Sequence, residues 1–144
     1  MLYSAKNTEE TELLGKKLAE ALKTRGIKRA FIAFSGEMGV GKTAFTRGFA
    51  SYFGISGVKS PTYTVVNEYR GEADLFHFDF YRIGDEDDLY SIGFDEYIER
   101  EGYCLGEWCE RIPYAIPSDA IEVKISRSDK NENIRNIEIN GIDL

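Results

Sequence analysis

Residues 36–43 read Gly-Glu-Met-Gly-Val-Gly-Lys-Thr, the complete G-x-x-x-x-G-K-T spacing of a phosphate-binding loop. Its glycines let the backbone wrap closely round a pyrophosphate, so that amide N–H groups and a helix N-terminus face the negative oxygens. Lys42 then reaches the β- and γ-phosphates, and the Thr43 hydroxyl is a ligand for Mg2+. A glycine-rich turn that merely precedes a lysine is the plainer alternative. The flanks weigh against it: the apolar run Ala30–Phe34 leads in as a buried strand. Beyond Lys42, Phe45, Phe49, Tyr52 and Phe53 follow at helical spacing, with Gly54 as a stop.

A phosphate loop also needs carboxylates for a metal and its water, and ligands of open α/β sheets gather at the carboxyl ends of strands. Asp79 lies near the end of the apolar run Leu75–Tyr81, and Glu107 just beyond the short run Tyr103–Leu105. Thr43, Asp79 and Glu107 could therefore surround one Mg2+, directly or through water. Against this stand an ordinary strand-end acid and an ordinary surface glutamate. As a histidine, His77 suggests a general base, although a packed, hydrogen-bonded histidine that orients its neighbours accounts for it better. Arg82 could neutralise phosphate or pair with the acidic patch Asp85–Asp88. In Ser60-Pro61-Thr62, Pro61 holds Ser60 extended and Thr62 offers a hydroxyl; the segment reads equally as a switch near the γ-phosphate or as a strand entrance. Trp108 would pack in a core or line the cleft.

Positioning these groups requires a sheet. Asn7–Arg25 reads as a helix: Asn7 caps it with Glu10 three residues on, Leu14, Leu18, Ala21 and Leu22 form its apolar face, and Gly26 ends it. Strands are predicted at Tyr63–Tyr69, at Leu75–Tyr81 with Phe76, Phe78 and Phe80 on one face, and at Tyr103–Leu105. Two more follow at Ile121–Ile125 and Ile137–Ile139. One further helix begins at the acidic patch and carries Leu89, Tyr97 and Ile98. The expected fold is α/β, a single P-loop NTPase-like domain over residues 1–144 with a mixed sheet flanked by helices and the loop-bearing strand central.

Composition narrows the function classes. A chain of 144 residues holds one real core but not a separate substrate domain. A net charge of −7 opposes a surface-wide nucleic-acid platform, which needs clustered Lys and Arg. It does not oppose an anionic nucleotide, because the loop amides, Lys42 and a metal act at contact distance while distant charges are screened within about 8 Å. There is no apolar run of membrane-spanning length and no secretory signal pattern. Cys104 and Cys109 read as reduced thiols, and one histidine rules out most zinc patterns. A cytoplasmic location is expected.

The motifs G-E-M-G-V-G-K-T, S-P-T-Y-T-V-V-N-E-Y, H-F-D-F-Y-R and G-E-W, in this order, resemble the bacterial TsaE family, the small ATPase required for threonylcarbamoyladenosine modification of transfer RNA. The resemblance spans the first helix to Trp108. It implies that Glu37, Met38, Gly39, Val40, Gly41, Lys42, Thr43 and Ala44 form the ATP cradle. It further implies that Thr43, Asp79 and Glu107 are magnesium residues, with Lys42, Asp79 and Glu107 the catalytic set. Thr11 looks like the family position near the nucleotide base, and Arg135 like a hairpin arginine that contacts nucleotide. ATP is then the substrate and Mg2+ the cofactor; the partners are TsaB and TsaD, with transfer RNA engaged indirectly through that complex. Two departures, Gly106 for a branched apolar residue and Cys109 for a proline, bear on the rigidity of the strand end that carries Glu107. A small-molecule kinase would need an acceptor site and usually a cationic lid, and an ATP-dependent binding module would show negligible turnover. GTP is disfavoured because no N-K-x-D motif occurs.

Overall fold

The apolar run before the loop forms the middle strand of a seven-stranded mixed sheet. In a computed structural model describing residues 1–37, 39–61 and 65–144, the strands are β1 (Leu2–Ala5), β2 (Arg29–Ser35), β3 (Val66–Arg70), β4 (Asp74–Asp79), β5 (Gly102–Glu107), β6 (Ile121–Arg127) and β7 (Arg135–Asn140). Their order is β1-β7-β6-β2-β5-β4-β3. β2 pairs in parallel with β5 and β6, and β5 in parallel with β4. The pairs β1–β7, β6–β7 and β3–β4 are antiparallel. The carboxyl ends of β2, β4 and β5 therefore open on one edge, where the loop begins.

Helices α1 (Thr8–Thr24) and α2 (Lys42–Tyr52) cover one face of the sheet. Asn7 caps α1 by accepting the Glu10 amide at 2.9 Å. Glu10 in turn faces the amide of Lys6, one residue upstream of the position a capping box predicts. Leu14, Leu18 and Leu22 pack with Phe45, Phe49, Ile32 and Phe34. The two helix backbones touch: a Cβ added at Gly48 would lie 1.9 Å from the Glu12 carbonyl oxygen, and one at Gly15 2.1 Å from that of Phe45. This contact fixes the axis of the helix that starts at Lys42.

The other face holds a second core of Phe31, Ala33, Phe76, Phe78, Phe80, Phe94, Cys104 and Ile112. The three phenylalanines of β4 and its exit share this face, as their spacing predicts, while Leu75 turns to the first core. Fully burying each such side chain contributes on the order of 1.5–3 kcal/mol, so β4 is anchored along its length.

Three elements depart from the sequence expectation. β1 was not foreseen, because a run of four residues of which only Ala5 is fully buried is too short to carry a readable apolar alternation. The single helix after the acidic patch is two, α3 (Glu86–Ser91) and α4 (Phe94–Glu99). Gly93, left-handed at φ 73°, divides them. The strand expected from Tyr63 starts at Val66 among the described residues, after Val65 at φ 68°; Tyr63 and Thr64 lie outside them.

Candidate functional site

The chain leaves β2 at Ser35 and enters α2 at Lys42. Gly41, immediately before the helix, sits at φ 122° and ψ 16°, a conformation that side chains strongly disfavour. The amides of the first turn of α2 have no carbonyl partner within the helix. They form a donor cluster at the positive end of its dipole.

Two cavities, each of about 510 Å3, lie on opposite flanks of this turn. The first is bounded by Gly39, Gly41, Lys42 and Thr43 on the loop side and by Ser60, Asp79, Glu107 and Trp108 across from it; Tyr81 and Arg82 complete its rim. The second is lined by Thr11, Val40, Ala44 and Arg135 together with Lys6, Asn7 and Asn133. Gly39 and Gly41 border both. The sequence-predicted residues thus gather round one turn. Glu37 is the exception among those described: its carboxylate points away to Arg127 at 2.8 Å. Met38 and Thr62 lie outside the described residues.

Several charged side chains of the first cavity have a definite structural setting. Lys42 is only 5% exposed, and its ammonium stands 5.1 Å from the centroid of the Trp108 ring, within range of a cation–π attraction. Asp79 and Glu107 are register partners on neighbouring parallel strands. One Asp79 oxygen accepts the Tyr81 amide at 2.9 Å. Glu107 Oε2 lies 2.7 Å from His77 Nε2. His77 is fully buried and does not line the cavity, so it meets the requirement for an orienting group and not for a base that reaches substrate. Arg82 is at the rim, adding a second cation to the cavity that holds Lys42. The acidic patch caps α3, with Asp85 accepting the Asp88 amide and Asp88 accepting the Gly84 amide.

The sequence reading missed the hold of the β6–β7 hairpin on the loop. Arg135 Nε donates to the Val40 carbonyl at 2.9 Å, and Arg127 pairs with Glu37. These contacts join residues 95 and 90 positions apart, and no local pattern announces them.

The chain matches the model of the family described as threonylcarbamoyl adenosine biosynthesis protein TsaE over residues 5–137. It belongs to the TsaE family. The tRNA threonylcarbamoyladenosine biosynthesis protein TsaE of Bacillus subtilis is 38% identical over 128 residues, covering 88% of this chain and 77% of that protein. Its counterpart in Haemophilus influenzae is 39% identical over 128 residues, covering 87% and 79%. The crystal structure of Bacillus subtilis YdiB superposes with a TM-score of 0.76 at 30% identity, covering 95% of this chain and 82% of that one.

Gly106 and Cys109 pack against each other at the end of β5. A Cβ at Gly106 would meet Phe80 at 2.7 Å, Cys109 Sγ at 3.0 Å and Phe31 at 3.1 Å. The space of a branched residue is therefore filled by its neighbours, and the Cys109 thiol donates to the Gly106 carbonyl at 3.2 Å. Burial pushes the Cys109 thiol well above its ordinary pKa, with the nearby Glu110 charge adding to the shift. The strand end carrying Glu107 is packed, not loosened. Among the described residues no helix is long and apolar enough to cross a membrane.

Proposed function

We infer that this TsaE-family chain is a Mg2+-dependent ATPase subunit of tRNA threonylcarbamoyladenosine biosynthesis that acts on a TsaB–TsaD assembly in the cytoplasm. The observation that carries the reading is the convergence of Lys42, Thr43, Asp79 and Glu107 on the cavity beside the loop. In this reading the first-turn amides of α2 and Lys42 bind the β- and γ-phosphates, and Thr11, Val40, Ala44 and Arg135 border the base side. The Lys42 ammonium leaves the Trp108 face to meet phosphate, exchanging a cation–π contact for a charge-assisted one.

Among the described residues no group of three or more His, Cys, Asp and Glu side chains is placed to hold a metal ion by itself. A cation would depend on the Thr43 hydroxyl, the two carboxylates, water and phosphate oxygens. That all-oxygen, partly hydrated donor set suits Mg2+, which retains water and shares its ligands with substrate phosphates. When bound, the metal neutralises charge on the transferring phosphoryl group. Asp79 and Glu107 would hold it or its waters, and Arg82 is the side chain nearest in kind to a cationic stabiliser.

The isolated chain is expected to turn over slowly, because stabilisation of γ-phosphoryl charge supplied by a partner is worth about 10³–10⁵ in other phosphate-loop systems. Steady-state phosphate release, measured for the chain alone and then with TsaB, TsaD and transfer RNA, tests this. A rate changed by the partners supports the reading. Fast turnover indifferent to them would favour an autonomous NTPase or a kinase, and no turnover in any mixture would favour an ATP-dependent binding module.

A further inference from the structure

We propose that His77 is the positioning residue for Glu107, donating its Nε2–H to one carboxylate oxygen so that the other is presented to the metal side of the cavity. The inference rests on the nucleotide–metal reading of that cavity. The ring is completely buried in β4, and its Nε2 lies 2.7 Å from Glu107 Oε2. Nδ1 is buried with no hydrogen-bond partner among the described residues. These facts select a tautomer. A proton on Nδ1 would strand a buried donor and set the bare Nε2 lone pair against a carboxylate oxygen, two unfavourable contacts at once. A proton on Nε2 satisfies the close contact and leaves only a bare acceptor unpaired. The imidazole also fixes the carboxylate in a way water could not, because neither β4 nor the sheet face around it admits solvent to the ring. Outer partners of this kind set the orientation of metal-binding groups.

His77 is the chain's one histidine, so imidazole 15N resonances of the intact protein report it alone. The expected spectrum shows Nε2 protonated; a ring protonated on Nδ1 and bare at Nε2 overturns the proposal. The second arm measures Mn2+ affinity of the protein–ADP complex by electron paramagnetic resonance, with ADP affinity without metal and thermal melting as controls. His77→Asn, whose amide cannot reach the Nε2 position, is expected to weaken Mn2+ binding by about 10–100-fold while metal-free ADP binding stays within about twofold. His77→Gln, whose amide nitrogen reaches that position, restores most of the loss. Equal Mn2+ affinity in wild type and His77→Asn, with Glu107→Gln weakened, overturns the role of His77 alone. Unchanged affinity in Glu107→Gln overturns the metal reading of Glu107 and the positioning role with it.

Discussion

The ends of β4 and β5 and the β6–β7 hairpin both flank the glycine-rich turn, but they hold their side chains in opposite surroundings. On the β4–β5 flank the sheet is parallel and covered on both faces. The His77 side chain is 0% and that of Glu107 12% exposed, and Asp79 is 7% exposed. On the hairpin flank the strands are antiparallel with one solvated face, as the alternation of Ile121, Val123 and Ile125 with exposed Glu122 and Lys124 records. There the Arg127 and Glu37 side chains are 41% and 79% exposed. A hydrogen bond to a buried charged group is worth about 1.5–3 kcal/mol, whereas exposed pairs typically give 0.2–1 kcal/mol. The first flank is therefore built to fix geometry, whereas on the second the Arg127–Glu37 pair restrains the turn only weakly.

The largest effects are expected on the buried flank. Asp79→Asn keeps the shape of the strand end and removes the charge. ATP hydrolysis should fall by about a hundredfold, the upper end for disturbing even an outer partner of a metal ligand, with metal-free nucleotide binding much less affected. Normal hydrolysis by Asp79→Asn across a magnesium titration would remove Asp79 from the site. Lys42→Ala deletes a charge-assisted contact worth about 1.5–3 kcal/mol, so calorimetric ATP affinity should drop roughly tenfold to a hundredfold. Unchanged affinity would leave Lys42 as a buried partner of Trp108 and nothing more.

How much of this contrast the sequence revealed depends on the range of the contacts. The strand–loop–helix unit from Ala30 to Phe53 and the β4 face of Phe76, Phe78 and Phe80 follow from local spacing, and the structure reproduces both. The approach of Asp79 to Glu107 could be anticipated because strand ends in parallel sheets converge. Less visible were events controlled by one residue's backbone, such as the break at Gly93 and the left-handed Trp108 at φ 63°. Least visible were partnerships across the sheet: His77 with Glu107, Arg135 with Val40, and Cys109 filling the space beside Gly106. Those depend on strand order, which one sequence does not encode as a pattern.

An intermediate effect tests the packing beneath the buried flank through pH. Burial pushes the Cys104 thiol from its ordinary 9.0 up to about 12, with Arg100 opposing the shift, and Cys109 moves in the same direction. Below about pH 9 both thiols are protonated in the folded and unfolded chains, so their contribution to stability is fully present. Above it the unfolded thiols ionise first. Stability is then lost as pH rises towards about 12, the folded value for Cys104, with a slope of at most about 1.4 kcal/mol per unit for each thiol. Urea melts at about pH 8 and about pH 10.5 should show a smaller alkaline loss in Cys104→Ala than in the parent chain. Identical losses would mean that solvent reaches Cys104 despite its place in the second core.

The hairpin flank separates its two arginines, and the smallest expected effect belongs to Arg127. Arg127 meets Glu37 through an exposed pair, so Arg127→Ala should change stability by less than about 1 kcal/mol and ATP affinity by less than about fivefold. What remains of the effect should shrink further as salt screens the pair. Arg135 differs because its Nε donates to the Val40 carbonyl, while Val40 is 1% exposed; removing that donor leaves a backbone acceptor near the core without its partner. Arg135→Ala should therefore cost about 1–3 kcal/mol with little dependence on salt, even though the arginine is itself only half-buried. Thermal melts and ATP titrations of both variants at low and high ionic strength measure the distinction. If Arg127→Ala proves as damaging as Arg135→Ala, and remains so in salt, the Glu37 pair is a fixed strut. The hairpin would then hold the turn as rigidly as the carboxylate flank does, and the contrast between the two flanks would fail.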